Sequence, residues 1–380
     1  MYSICGNCVK EPALINLIEK YGRKGRKCHI CSRKTSKVLN AKDNRLRQLF
    51  KALIRYHYSE WEYNTHWGGN GIESLFYGEN PILRFSKNTD EVKLEEVILM
   101  LIENVYEEHA TGVSLFSGYD RDGQQNMLLR AIKEDISPSL MEIAKRLEKE
   151  NYYNVESKIT KLLKPFKGVI TRNFSVGTPL FRARIGYKEK KIPISGAGFY
   201  PEYHYAPFAN DEIGTPPPSS AEEGRLNRPG VSFFYGATTV ETAIAEVRPH
   251  PGDKISIGKF LPTKDLIIAD FTSANIEPYA DSDRLLAEFR FINSVNIVLN
   301  RVVPPSQRRQ YSLTQLIADG IRKLGYDGII FKSTVGTGYN VTIFYPEMLE
   351  YLRDDKKVFA IKSLQYEIES LDIMNGDDYF

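Results

Sequence analysis

Apolar positions recur at helical intervals from residue 42 to residue 165 and give way to short alternating runs beyond them. Leu46, Leu49, Phe50, Leu53 and Ile54 share one helical face behind Asp43 and Asn44, so a capped helix is predicted from Lys42 to about Tyr63. Leu94, Val97, Ile98, Leu101 and Val105 predict a second helix from Asp90 to Glu108. Ser137-Pro138 opens a third that continues to about Leu147, and Val155 to Leu163 reads as a fourth. Between the first two, residues 64–80 are loop-like, with Gly68, Gly69 and Gly71.

From Lys164-Pro165 onward, Pro and Gly punctuate short β-rich runs. PLFRARI predicts a strand with Arg182 and Arg184 on one face, because side chains alternate along a strand. The irregular span 186–220 follows, holding Tyr200, Tyr203, His204, Tyr205 and PPPSS, and such a length reads as a functional loop. Phe233 to Tyr235 reads as a buried strand stopped by Gly236. After Glu246 come strands KISIGKFL and LIIADF and a helix from Asp283 to Val298. Leu313, Leu316, Ile317, Ile321 and Leu324 predict a helix closed by Gly325. Strand YDGIIFKS then runs into Thr334, Gly336, Gly338 and Asn340, VFAIKSLQYEIESL reads as an edge strand, and Asp377-Asp378 as a frayed end.

At 380 residues the chain exceeds one ordinary core, so two or three domains are expected. The hydrophobic fraction of 42% and charged fraction of 26% belong to a soluble protein. No run approaches the roughly 18 apolar residues of a membrane helix. The N-terminus lacks a secretory pattern, which makes cytoplasm the expectation. Net charge is only +3, but the first 35 residues hold eight Lys/Arg against Glu11 and Glu19, a local +6.

All four cysteines fall inside that basic segment: Cys5, Cys8, Cys28 and Cys31, two CxxC pairs separated by nineteen residues. Two residues between cysteines let one knuckle present both thiolates to one Zn²⁺, and two knuckles complete a closed Cys₄ shell. A closed shell leaves no coordination position open, so the metal is expected to be structural. The alternatives are a disulfide pair or free thiols, and His29 is a bystander to a filled shell. The loop YGRKGRK between the pairs is either a solvated charge run or a contact for nucleic acid.

The span from Gly224 to Glu246 combines an arginine between two glycines, Arg225, with an aromatic strand and a helix that ends on a glutamate. It reads as one wall of a pocket. Leu180-Phe181-Arg182, Gly224-Arg225-Leu226-Asn227, Phe234-Tyr235, Glu241 to Val247, Lys332-Ser333 and Asn340 together resemble the RES domain. The arginine, glutamate and serine that name the family are placed at Arg182, Glu246 and Ser333. The cysteine-bearing helical region is similar to the N-terminal module that accompanies some RES domains.

The resemblance implies an ADP-ribosyltransferase-like fold, action on NAD⁺, and the biology of bacterial toxins paired with an antitoxin. Within it, Glu246 would stabilise the positive ribose formed when the nicotinamide bond breaks. Arg182 and Arg225 would hold the pyrophosphate, Tyr235 would stack on nicotinamide, and Ser333 and Asn340 would orient ribose or carboxamide. The acceptor of the ribosyl group stays open between water, phosphate and a protein side chain. No GxGxxG or P-loop pattern supports a Rossmann or nucleotide-hydrolase alternative. Arg55-Tyr56-His57, His66 and His109 lack the arginine–histidine spacing of helical HEPN ribonucleases. A rival of another class is a nucleic-acid-binding regulator that reads through YGRKGRK.

The expected layout is α+β: a zinc-ribbon-like module over 1–36, an α-helical domain over 37–167 and an ADP-ribosyltransferase-like mixed domain over 168–380. Arg184, Arg248 and the Tyr200 to Tyr205 cluster are expected to be structural or loop residues.

Overall fold

The computed structural model describes residues 2–34, 37–58, 80–84, 89–102, 113–114, 118–119, 131–192, 203–273, 275–302 and 311–370. His66, His109, Tyr200, the glycine-rich run 64–79, residues 103–108 of the second expected helix and Asp377-Asp378 lie outside them. The chain forms two compact units: Met1–Val155 with Ser273–Leu299, and Glu156–Thr272 with Asn300–Phe380. Among the described residues no helix is long and apolar enough to cross a membrane.

In the first unit, β1 (Ser3–Cys5) and β2 (Val38–Asn40) pair antiparallel, with Cys5 opposite Val38. Helix Pro12–Tyr21 starts on proline, whose fixed φ suits a first helical turn, and buries Leu14 and Ile18. Helix Asn44–His57 begins where Asp43 accepts a hydrogen bond from the Arg45 amide at 3.1 Å, and it buries the apolar stripe read in the sequence. Helix Glu91–Ile102 buries Leu94, Val97, Ile98 and Leu101. β3 (Val113–Ser114) and β4 (Gly118–Tyr119) pair antiparallel. Helix Pro138–Leu147 is capped by Ser137, whose hydroxyl accepts from the Leu140 amide.

Helix Asp283–Asn300 returns to this unit late in the chain. The Ser137 amide donates to Ser294 Oγ at 2.8 Å, and Asn293 Nδ2 donates to the Ile132 carbonyl at 2.7 Å. Both polar side chains are buried, and these bonds satisfy groups that would otherwise be costly there.

The second unit is organised by a nine-stranded sheet in the order β14-β10-β6-β9-β13-β12-β11-β5, with β15 also on β10. Its strands are β5 (Thr171–Phe174), β6 (Leu180–Ile185), β9 (Phe234–Ala237), β10 (Lys254–Pro262), β11 (Leu266–Phe271), β12 (Gly328–Lys332), β13 (Tyr339–Ile343), β14 (Leu349–Tyr351) and β15 (Lys357–Ala360). Among the described strands of this sheet only the β11–β12 pair is parallel, and the chain between them includes helix Tyr311–Lys323, as a parallel crossover requires. The class is therefore mixed α+β, as expected. Phe174, Leu180, Phe234, Phe260, Ile268, Ile330 and Val341 form the core against this sheet. Gly325 ends the crossover helix at φ +87°, the left-handed stop read from the sequence.

Three expectations change. Gly236 does not break the aromatic strand but lies inside β9: a Cβ there would stand 2.6 Å from the Phe234 ring and 3.0 Å from the Phe181 carbonyl, so packing demands glycine. The span 186–220 is not structureless, since β7 (Glu189–Lys191) and β8 (His204–Ala206) pair antiparallel within it. The final edge strand is limited to β15, and 361–370 is not strand.

Candidate functional site

Four adjacent strands and one short helix bring the named residues together. In the sheet, Ala237 of β9 pairs with both Phe181 of β6 and Asn340 of β13, and Asn340 in turn pairs with Phe331 of β12. Arg182, Asn340 and the end of β12 leading to Ser333 thus meet at one place. Helix Val240–Glu246 follows β9 directly, capped by Thr239, which accepts from the Thr242 amide at 3.2 Å. Buried Thr242 Oγ1 accepts from Thr239 Oγ1 at 2.8 Å and from the Gly338 amide at 2.9 Å. A Cβ on Gly338 would lie 2.6 Å from that same oxygen, so glycine permits the turn to dock on the helix that carries Glu246.

Ser333 Oγ donates to Glu246 Oε1 at 2.6 Å, and Asn340 Nδ2 donates to the same oxygen at 2.7 Å. Ser333 Oγ also accepts from the amides of Val335 (3.2 Å) and Gly336 (2.9 Å). A hydroxyl has one proton and two lone pairs, so with both lone pairs filled by amides the proton is committed to Glu246. Oε1 is saturated by two fixed donors, and Oε2 remains for a ligand. Replacing Ser333 with Ala removes one donor and one double acceptor. Thermal unfolding should register a loss of about 1 kcal/mol, while Ser333→Thr, which keeps the hydroxyl, should lose less.

Glu246 lines a cavity of about 470 Å³ together with Arg182, Arg225, Arg248, Tyr235 and Asn340. The lining holds three arginines and one glutamate, an excess of positive charge suited to an anionic ligand. Arg182 Nη1 donates to the Tyr235 carbonyl at 2.9 Å. Burial first, and then neighbouring Arg184, push its guanidinium below the ordinary arginine value. The group stays charged, so an anion placed beside it would recover the lost hydration. Arg225 Nη2 donates to the Arg301 carbonyl at 3.0 Å, with its guanidinium 5.9 Å from the Phe331 ring centre.

Tyr235 lines the cavity, but its hydroxyl serves the protein: it donates to Asn227 Oδ1 at 2.7 Å and accepts from the Leu226 amide at 3.0 Å. Burial pushes this phenol up from its ordinary value. What it leaves for a ligand is its ring. A Cβ on Gly224 would lie 2.3 Å from Asn227 Oδ1 and 2.8 Å from Tyr235 Oη, which explains the glycine before Arg225. A smaller cavity of about 290 Å³ shares Arg182, Gly224 and Tyr235 with the first.

Tyr311 and Phe331 also line the cavity, as does Arg248, which was expected to be a structural or loop residue. Tyr311 and Phe331 carry no distinguishing pattern, whereas Arg248 follows a helix end where glycine is usual. Arg184 projects from the next position but one on β6 and packs over the Phe208 ring at 4.6 Å.

Apart from this site, Cys5, Cys8, Cys28 and Cys31 are all buried, with their sulfurs within 4.8 Å of one another. The 3-10 turn Gly6–Cys8 forms the first knuckle, and Ser32 at φ +60° follows the second. Sulfur–sulfur distances are 3.8 Å for Cys5–Cys8, 3.7 Å for Cys5–Cys31 and 3.9 Å for Cys8–Cys28, so the cysteines are free of disulfides. Hydrogen bonding by Cys5, then by Cys8, pulls the Cys28 thiol far below its ordinary value. The quartet can hold a metal ion. His29 instead contacts Glu96 at 3.1 Å, as a bystander would.

The fold and the site define an α+β domain with a carboxylate set in a cationic cavity. Residues 196–361 match the family model of the RES domain. A structure search returned the crystal structure of the M. tuberculosis MbcT–MbcA toxin–antitoxin complex, with 13% sequence identity and a TM-score of 0.30, covering 54% of this chain and 94% of that chain. A search of curated proteins returned no match.

Proposed function

We propose that the second unit is an NAD⁺-consuming enzyme that cleaves the nicotinamide–ribose bond, as a glycohydrolase or a phosphorylase. The observation that carries this reading is Glu246, held by Ser333 and Asn340 through one oxygen in a cavity otherwise rich in arginine. The match to the RES domain over residues 196–361 supports it.

In the proposed step the bond between ribose C1′ and the nicotinamide nitrogen breaks, and its electron pair leaves with nicotinamide, which becomes neutral. Positive charge develops on the ribose, where the Glu246 carboxylate lowers its energy. Water then bonds to C1′ and releases a proton, giving ADP-ribose; phosphate in its place gives the 1″-phosphate, and a protein side chain would make the reaction an ADP-ribosyl transfer. Arg182 and Arg225 hold the diphosphate, the Tyr235 ring lies against the flat nicotinamide, and Ser333 and Asn340 fix the carboxylate.

Incubation of the purified chain with NAD⁺ should release nicotinamide, and comparing phosphate-free with phosphate buffer separates hydrolysis from phosphorolysis. A folded protein that releases none in either buffer overturns the reading. For the cysteine quartet we propose Zn²⁺. A tetrahedron with Zn–S bonds of about 2.3 Å has edges of about 3.8 Å, close to the Cys5–Cys8, Cys5–Cys31 and Cys8–Cys28 separations of 3.7 to 3.9 Å, and all four sulfurs lie within 4.8 Å of one another. Bound there, the ion would close the two knuckles on each other.

A further inference from the structure

Among the three arginines of the main cavity, two are anchored and one is not. Arg182 and Arg225 each donate to a backbone carbonyl, at 2.9 and 3.0 Å. Among the described residues, the guanidinium of Arg248 makes no hydrogen bond or ion pair, although it lines the same cavity. No ion pair ties it to Glu246, whose Oε1 takes the protons of Ser333 and Asn340. Its backbone sits at φ +50°, in the left-handed region that disfavours any residue with a Cβ. It follows Val247, the C-cap of helix Val240–Glu246, where glycine would relieve that cost. A strained arginine whose charged end does nothing for the fold calls for a use in ligand binding.

We propose that Arg248 is a substrate-binding residue that contacts phosphate oxygens in this cavity, as the adaptable member of a three-arginine set. The chemistry fits: a planar guanidinium can take two oxygens of one phosphate, and Arg248, unlike its two anchored neighbours, can rotate onto it. Two residues beyond Glu246, it would hold the anion close to the point where the ribosyl bond breaks. The phosphate belongs either to the dinucleotide or to an inorganic phosphate acceptor. This inference rests on the NAD⁺ reading of the same site.

The test compares wild type, Arg248→Gly and Arg248→Lys by nicotinamide release, calorimetric affinity for ADP-ribose, and thermal unfolding. Glycine tolerates φ +50°, so Arg248→Gly should melt no lower than wild type while losing the guanidinium. In phosphate-free buffer its KM for NAD⁺ should rise by about tenfold, more than kcat falls, with Arg248→Lys in between. A rise confined to the KM for inorganic phosphate would assign the contact to the acceptor and would equally support it. Unchanged constants for both ligands would overturn the proposal. So would a loss of affinity shared in full by Arg248→Lys and accompanied by a lower melting temperature, which marks a structural role. If the wild type releases no nicotinamide, the enzyme reading fails by itself, and ADP-ribose affinity decides Arg248: equal binding by wild type and Arg248→Gly, or no binding by either, overturns it.

Discussion

Glu246→Gln should lower nicotinamide release by about 10² to 10³-fold in kcat while leaving the melting temperature within a few degrees of wild type. The glutamine amide oxygen can still accept from Ser333 Oγ and Asn340 Nδ2, so both hydrogen bonds that place the side chain survive. Glu246 is exposed at the end of its helix, and the substitution leaves no buried group unpaired. What disappears is the negative charge facing the developing ribosyl cation. Retention of activity within tenfold would move the catalytic carboxylate elsewhere, and Glu241, exposed in the first turn of the same helix, would be the next candidate.

The helices of the first unit were legible because their determinants are local. Asp43 and Ser137 cap the amides within three residues of themselves, and the buried stripe Leu46, Leu49, Phe50, Leu53, Ile54 is a direct image of the helical period. Strands β6, β10, β11 and β12 were legible for the same reason. Gly236 was misread because a glycine breaks a strand by local preference but is retained in one when a neighbour needs the space, here the Phe234 ring. That information is carried by the pairing of β9 with β6 and β13, which no short window contains.

The site shows the same division. Arg182, Glu246, Ser333 and Asn340 could be named because their motifs, each weak alone, follow one another in the order that resembles the RES family, but the proton direction within them could not. It follows from the Val335 and Gly336 amides occupying Ser333, a consequence of how the turn after β12 folds. Tyr235 was read only for its aromatic face, yet Asn227 and Leu226 hold its hydroxyl, so the residue also fixes the turn that carries Arg225. Arg248 was read as a structural or loop residue because its φ and its unpaired guanidinium are properties of the folded chain alone. The return of helix Asp283–Asn300 to the first unit depends on Asn293 and Ser294 meeting backbone groups about 160 positions earlier, at Ile132 and Ser137.

Removal of metal from the cysteine quartet should have the largest effect on stability. The purified chain is expected to contain one zinc, and a strong chelator or Cys28→Ser should unfold the N-terminal module, since structural zinc contributes on the order of 10 kcal/mol. Ile4, Val9, Leu14, Ile18, Ile30 and Leu39 are buried, but the local pairing of β1 with β2 spans three residues each, so a bound ion would add the main cross-link between the two cysteine pairs. Four thiols already within 4.8 Å of one another need little reorganisation to bind. Cobalt substituted for zinc should give the absorption of a tetrahedral tetrathiolate, reporting the ligands independently of stability. A chain that is metal-free as isolated, takes up no cobalt and melts identically with and without chelator would show that the quartet is held by packing alone.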